Sequence, residues 1–323
     1  MLLFYDDVFL RHDAGDLPES AERLRVIVRR LRGSGLWAEC RVLPGRDARV
    51  EELARVHDRA YIERVREFAA GGGGELDSEV VISPGSYAAA IRAAGAAIDG
   101  AERIMRREAV NGFVLARPPG HHARASQGMG FCIFNNVAVA ARHLLAIHGL
   151  RRVMIVDWDA HHGNGTQEEF YDEDAVFYLS VHAYPFYPGT GAAQERGRGK
   201  GLGFTRNLPI WPGAGREGYM RAWLPALRDS IAWFAPEFIL VSAGFDAVRD
   251  DPIAGLGLEP EDFAEMTRVL CEAATVCEGR ILSVLEGGYS LTSLPLCVEA
   301  HLRELLRAGG DRKAQRAQAR KTS

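Results

Sequence analysis

The chain has 323 residues, 47% of them hydrophobic and 25% charged, so it carries ample apolar material for a core and is not a disordered segment. Its formal net charge is -4, from 39 Lys+Arg against 43 Asp+Glu. That balance argues against a surface built to bind nucleic acid or an anionic membrane. Met1 to Leu10 carries Asp6 and Asp7 and has no basic run ahead of an apolar one, so no signal peptide is expected. The Ala-rich stretch at 88–98 is broken by Arg92 and is too short to cross a bilayer. Cys40, Cys132, Cys271, Cys277 and Cys297 form no C-x-x-C pair. So few cysteines in a chain this long point to free thiols and a reducing, cytoplasmic compartment.

Helical periodicity marks 19–33, 50–69, 85–107, 135–148, 217–234, 260–276 and 295–307. Between these lie short apolar runs at Gly112–Ala116, Val153–Val156, Val176–Val181, Phe238–Val241 and Ile281–Leu285. Such runs read as parallel strands covered on both faces, and their alternation with helices gives a doubly wound α/β fold. Gly71–Gly74 and 196–203 read as loops. A single catalytic domain over 1–307 is expected. Residues 308–323 belong to a basic, disordered tail, since Arg307–Ser323 holds six Lys or Arg and one Asp.

Each apolar run is followed at once by polar residues. Arg117-Pro118-Pro119-Gly120-His121-His122 follows the first, and Asp157-Trp158-Asp159-Ala160-His161-His162-Gly163-Asn164 the second. His182, Ser242 to Asp246, and Glu286-Gly287-Gly288-Tyr289 follow the other three. Ligands of open parallel sheets bind beyond the carboxyl ends of the strands, so one shared site is the economical reading. Asp157, Asp159 and His161 are spaced i, i+2, i+4, which puts them on one side of an extended segment. Alone this pattern reads equally as a hydrogen-bonded turn. A carboxylate and the imidazole of this pattern, with Asp246 from another strand end, make a three-ligand set that leaves a position for water, as catalytic zinc sites do. The adjacent imidazoles of His121 and His122 suit acid/base work, with Asp157 and Asn164 as acceptors that fix their tautomers. Tyr289, after two glycines, is placed to donate to a developing oxyanion.

The segments RPPGHHA (117–123), GFCIFNN (130–136), VDWDAHHGNGTQ (156–167), YPGTG (187–191), SAGFDA (242–247) and LEGGYSL (285–291) resemble the zinc-dependent histone deacetylase and acetylpolyamine amidohydrolase family, in that family's order. SPGSYAAA (83–90) and YDDVFLRHD (5–13) extend the match, and Asn164 and Glu286 look like class II and bacterial members. The resemblance implies an arginase-like fold with an eight-stranded parallel sheet. It implies Zn²⁺ on Asp159, His161 and Asp246, His121 and His122 as the acid/base pair, and Tyr289 as the oxyanion donor. It further implies Gly130, Phe131 and Gly288 along an acyl-lysine tunnel, with Tyr187 or Phe186 opposite. A structural K⁺ site is implied at Asp157, Asp159 and His161 with Ser180 and Val181. Two positions depart from the family. Leu17-Pro18-Glu19-Ser20 stands where many relatives have His-Pro-Glu-Arg, and Ile253 where some polyamine-specific members carry an acidic gatekeeper.

The expected reaction is removal of acetyl or acyl groups from lysine in proteins or peptides. Acetylpolyamines, or another small amide, are the alternative substrates. A homo-oligomer is compatible with the sequence, and Fe²⁺ competes with Zn²⁺ for an Asp₂His set. A binuclear manganese ureohydrolase is disfavoured because the positions for extra ligands fall on Gly163 and Val248. A silent acyl-lysine binding module is disfavoured because no ligand, histidine or tyrosine is missing.

Overall fold

The computed structural model describes residues 1–77 and 79–322, with side chains through Gly310. The expected tail therefore lies almost wholly outside the described side chains. Ten strands occur among the described residues: β1 (Leu2–Phe4), β2 (Arg41–Leu43), β3 (Gly74–Asp77), β4 (Val80–Ile82), β5 (Asn111–Val114), β6 (Val153–Asp157), β7 (Val176–Ala183), β8 (Thr205–Ile210), β9 (Phe238–Ala243) and β10 (Ile281–Leu285). Eight form one parallel sheet in the order β2-β1-β5-β10-β9-β6-β7-β8, while β3 and β4 pair as a separate antiparallel hairpin. The arginase/deacetylase-type sheet of eight is thus present.

The α-helices are α1 (Ala21–Gly33), α2 (Leu36–Glu39), α3 (Val50–Leu53), α4 (Arg59–Ala70), α5 (Ser86–Met105), α6 (Asn136–His148), α7 (Asn164–Phe170), α8 (Gly215–Phe234), α9 (Pro260–Ala273) and α10 (Leu294–Thr322). They cover the sheet, so β5, β6, β9 and β10 are buried along their whole length. That is why these strands read as nearly continuous apolar runs rather than alternating ones, with only small or hydrogen-bonded polar residues such as Ser283, which pairs with His301. Among the described residues, no helix is long and apolar enough to cross a membrane.

The periodic segment 50–69 is not one helix. It breaks between α3 and α4, where the His57 ring is fully enclosed. His57 Nδ1–H donates to Arg124 O at 2.9 Å, Nε2 accepts from the Asn135 N–H at 2.9 Å, and the Asp58 N–H donates to Ala125 O at 2.8 Å. The break therefore pins the stretch that follows His121 and His122, at residues 124–125 and again at 135.

Burial pushes His57 down to about 4, against an unfolded value near 6.5. His301, also enclosed, is pushed down to about 3 by burial. Below pH 6.5 the unfolded chain takes up protons that the folded protein refuses, so stability falls with falling pH and levels off below the folded value. For His57 alone the loss between pH 7.5 and 4 is about 3 kcal/mol. Urea unfolding across that range checks it, and His57→Gln flattens the dependence if the ring is responsible.

Candidate active site

The five strands whose ends carry the polar clusters are neighbours in the sheet, in the order β5-β10-β9-β6-β7. Their carboxyl ends therefore open into one crevice. Asp159 and His161 come from the loop after β6, and Asp246 from the loop after β9. Their donor atoms lie within 4.8 Å of one another, all buried. His161 Nδ1 is 2.8 Å from Asp246 Oδ2 and 3.1 Å from Asp159 Oδ1.

Backbone amides hold the carboxylates in place. Asp159 accepts from Gly287 N–H at 2.8 Å and from His161 N–H at 2.9 Å, and Asp246 Oδ1 accepts from Ala160 N–H at 2.7 Å. Two glycines make this possible. A Cβ on Gly244 would stand 2.1 Å from Asp159 Oδ2, and one on Gly287 2.6 Å from both Asp159 Oδ2 and Asp246 Oδ2. The donor set fits a divalent cation. Burial pushes His161 down, but Asp159 and Asp246 outweigh it and hold the imidazole up at about 10. A pocket that draws positive charge onto a buried histidine is electrostatically made for a metal ion.

Asp157 lies beneath this cluster. Its Oδ1 accepts from Asp159 N–H at 3.1 Å, and its Oδ2 from His121 Nδ1 at 3.1 Å and from Tyr178 OH at 3.0 Å. Ser180 is its register partner on β7 and Val181 follows, both buried. Burial opposes protonation of His121, yet Asp157 and Asp159 hold it up to about 10. His122 has the opposite environment. Its Nδ1–H donates to Asn164 Oδ1 at 2.8 Å, and burial, then His121 and His161, push it well below its usual value. The two rings lie 4.0 Å apart, and their surroundings drive them in opposite directions, His121 toward the protonated form and His122 toward the neutral one.

Aromatic rings wall the crevice. Phe131 meets Tyr289 edge-on at 5.9 Å, Tyr187 meets His122 at 5.3 Å, and Phe186 stacks on His161 at 5.4 Å. Gly130 fits between His122 and Tyr187, where a Cβ would be 2.6 Å from the imidazole. Phe131 has φ +66°, a conformation uncommon for such a side chain, and its N–H donates to Glu79 O at 3.2 Å in the turn between β3 and β4. Gly288 stands behind Tyr289. Its carbonyl accepts from Arg23 Nε at 2.7 Å, and a Cβ there would meet Leu294 and Phe245. Ile253 is partly buried on the loop that follows Asp246, and its N–H donates to Asp251 Oδ1 at 2.9 Å.

Sequence reasoning gave no role to the buried charges that brace these loops. Glu19 is fully enclosed and takes Arg117 at 2.7 Å and Arg23 at 2.9 Å. Arg117 also donates to Phe9 O and His12 O, and Arg23 to Glu286 O and Gly288 O, with its guanidinium 5.0 Å from the Tyr289 ring. The departure at Leu17 and Ser20 leaves this network intact, because Pro18-Glu19 supplies its acid. Glu286 accepts from Gly120 and His121 N–H and from Ser242 Oγ. Its oxygens are thus engaged, and burial keeps the neighbouring Cys132 thiol protonated. That leaves His121, Cys132 and Glu286 a bracing cluster, although their donor atoms lie within metal-binding distance of one another.

An arginase-like sheet with an Asp₂His cluster, paired imidazoles and a tyrosine at its carboxyl edge defines a metal-dependent amidohydrolase. The profile of the histone deacetylase domain matches residues 17–305, and the chain belongs to the histone deacetylase family. A probable deacetylase of Archaeoglobus fulgidus is 41% identical over 294 residues, covering 90% of this chain and 81% of that protein. The human polyamine deacetylase HDAC10 is 40% identical over 310 residues, 91% of this chain and 46% of that protein. The crystal structure of the HDA15 HD domain superposes with a TM-score of 0.89 at 36% identity, covering 96% of this chain and 91% of that one. The protein is a deacetylase of this family.

Proposed function

We propose that this deacetylase binds zinc through Asp159, His161 and Asp246 and hydrolyses acyl-lysine in peptides or proteins. One observation carries the reading: a buried three-ligand cluster beside a neutral imidazole, with aromatic rings on both sides. Zinc, when bound, polarises the amide carbonyl and acidifies a water molecule. His122 Nε2 takes the proton of the attacking water, because Nδ1 is committed to Asn164. His121, held protonated by Asp157, gives its proton to the leaving nitrogen. The Tyr289 hydroxyl donates to the oxyanion, a contact worth about 3 kcal/mol. Gly130 lets His122 and Tyr187 close together, and Phe131 and Tyr187 suit the apolar stem of a lysine chain.

K⁺ at Asp157, Ser180 and Val181 would support the ends of β6 and β7, where Asp157 and Ser180 are register partners. Five cysteines, four of them buried, suit a reducing, cytoplasmic setting.

The substrate preference rests on Ile253, which adds no negative charge to attract a cationic chain. The likeness to a relative named as a polyamine deacetylase favours acetylpolyamines as the second reading. Hydrolysis of an acetyl-lysine peptide and of N-acetylated polyamines by the zinc-loaded protein separates them. Peptide turnover at least about tenfold faster, by kcat/KM, supports the first reading, and the reverse order overturns it. Running the assay in KCl and in NaCl tests the potassium site, whose loss lowers the thermal midpoint in NaCl.

A further inference from the structure

Asp251 lies outside the metal cluster, on the loop after β9, and is only 8% exposed. Four backbone N–H groups donate to its carboxylate. Ile253 and Ala254 donate to Oδ1 at 2.9 and 3.3 Å, and Tyr289 and Ser290 donate to Oδ2 at 2.7 and 3.3 Å. Its neighbour Asp250 accepts from Ser290 Oγ at 2.8 Å, and Ser290 Oγ in turn accepts from the Ser293 N–H ahead of α10. A buried carboxylate is costly unless its oxygens are saturated, and this one is saturated entirely by two loops of the site.

The first loop is tied to the metal cluster, because the Gly255 N–H donates to Asp246 O at 3.1 Å. The second carries Tyr289. Gly288 is held through its carbonyl by Arg23 just before Tyr289, and Asp251 holds the Tyr289 amide itself. We propose that Asp251 is the positioning residue that sets the Tyr289 hydroxyl against the metal cluster, by clamping the Tyr289 backbone to the loop of Ile253 and Asp246. The proposal rests on the reading of Tyr289 as oxyanion donor. A shift of about 1 Å in that backbone carries the phenol out of hydrogen-bond range of the reacting oxygen.

Asp251→Asn replaces one acceptor oxygen by an amino group that faces N–H donors, so one of the two loops is released. The expected result is a kcat lower by about 10- to 100-fold with KM within about threefold, at unchanged zinc content. The decisive experiment is a double-mutant cycle with Tyr289→Phe. If Asp251 acts through the tyrosine, Asp251→Asn costs about twofold or less in the Tyr289→Phe background. Equal losses in both backgrounds, or a loss confined to KM, overturn the proposal while leaving the tyrosine's role standing. A Tyr289→Phe enzyme of near-normal kcat overturns the role of the tyrosine and the positioning inference with it. Should Asp251→Asn fail to fold, Asp251→Glu enters the same cycle. It keeps the charge but lengthens the side chain by one methylene, and the same pair of outcomes applies.

Discussion

His122→Ala is expected to lower kcat by about a hundred- to ten-thousandfold, with KM changed by about threefold or less. The size of the effect follows from the state of the ring. Asn164 Oδ1 accepts from Nδ1 at 2.8 Å, and Asn164 Nδ2 is directed to Met129 Sδ at 3.4 Å, so the amide orientation and the tautomer agree. That leaves the lone pair on Nε2. Burial and the two neighbouring imidazoles keep the ring neutral, so the base is ready at neutral pH. Alanine removes the acceptor but none of the metal's ligands, so zinc content and thermal midpoint stay as in the parent. Asn164→Ala, which frees the tautomer without removing the ring, costs less, about 10- to 100-fold. A His122→Ala enzyme within tenfold of the parent would move the base to another group.

The sequence exposed the centre of this site because the fold forces a local signal there. A strand buried on both faces is largely apolar, and charged residues are first admitted where it leaves the sheet. Asp157 after Val153–Val156 and Glu286 after Ile281–Leu285 are both read from that transition. The outer strands give no such signal. β1 and β2 have three residues each, and β8 sits at the sheet edge with Arg206, Asn207 and Pro209, which edge strands tolerate.

The supports were illegible for a different reason. Arg23, Arg117 and Glu19 look like surface charges in any window of the chain, and their burial comes from loops distant in sequence closing over them. Asp251 is similar, since its four donors come from two segments about 35 residues apart. Helical periodicity over 50–69 misled because a single enclosed ring, His57, breaks the helix through bonds to residues 124 and 135.

Asp246→Asn is expected to abolish zinc binding at stoichiometric metal and to lower activity by more than about a thousandfold. The amide keeps the shape and one oxygen, so the Ala160 N–H can still be satisfied, but the cluster loses the charge that balances a dication. The companion effect runs the other way. Burial and then the Asp159 carboxylate push Asp246 up to about 7, so its ionised form is held at a cost to the metal-free fold. Loss of that charge relieves the repulsion between two enclosed carboxylates, against which stands only the weakened pairing with His161. The metal-free Asp246→Asn protein is therefore expected to unfold in urea at a concentration no lower than the metal-free parent, while zinc raises the midpoint of the parent alone. Metal analysis and urea curves with and without chelator check both halves. A variant that still binds one zinc per chain removes Asp246 from the ligand set. One that binds none but unfolds earlier shows instead that the carboxylate contributes to the fold itself, and that the crevice is not a place where stability is given up for chemistry.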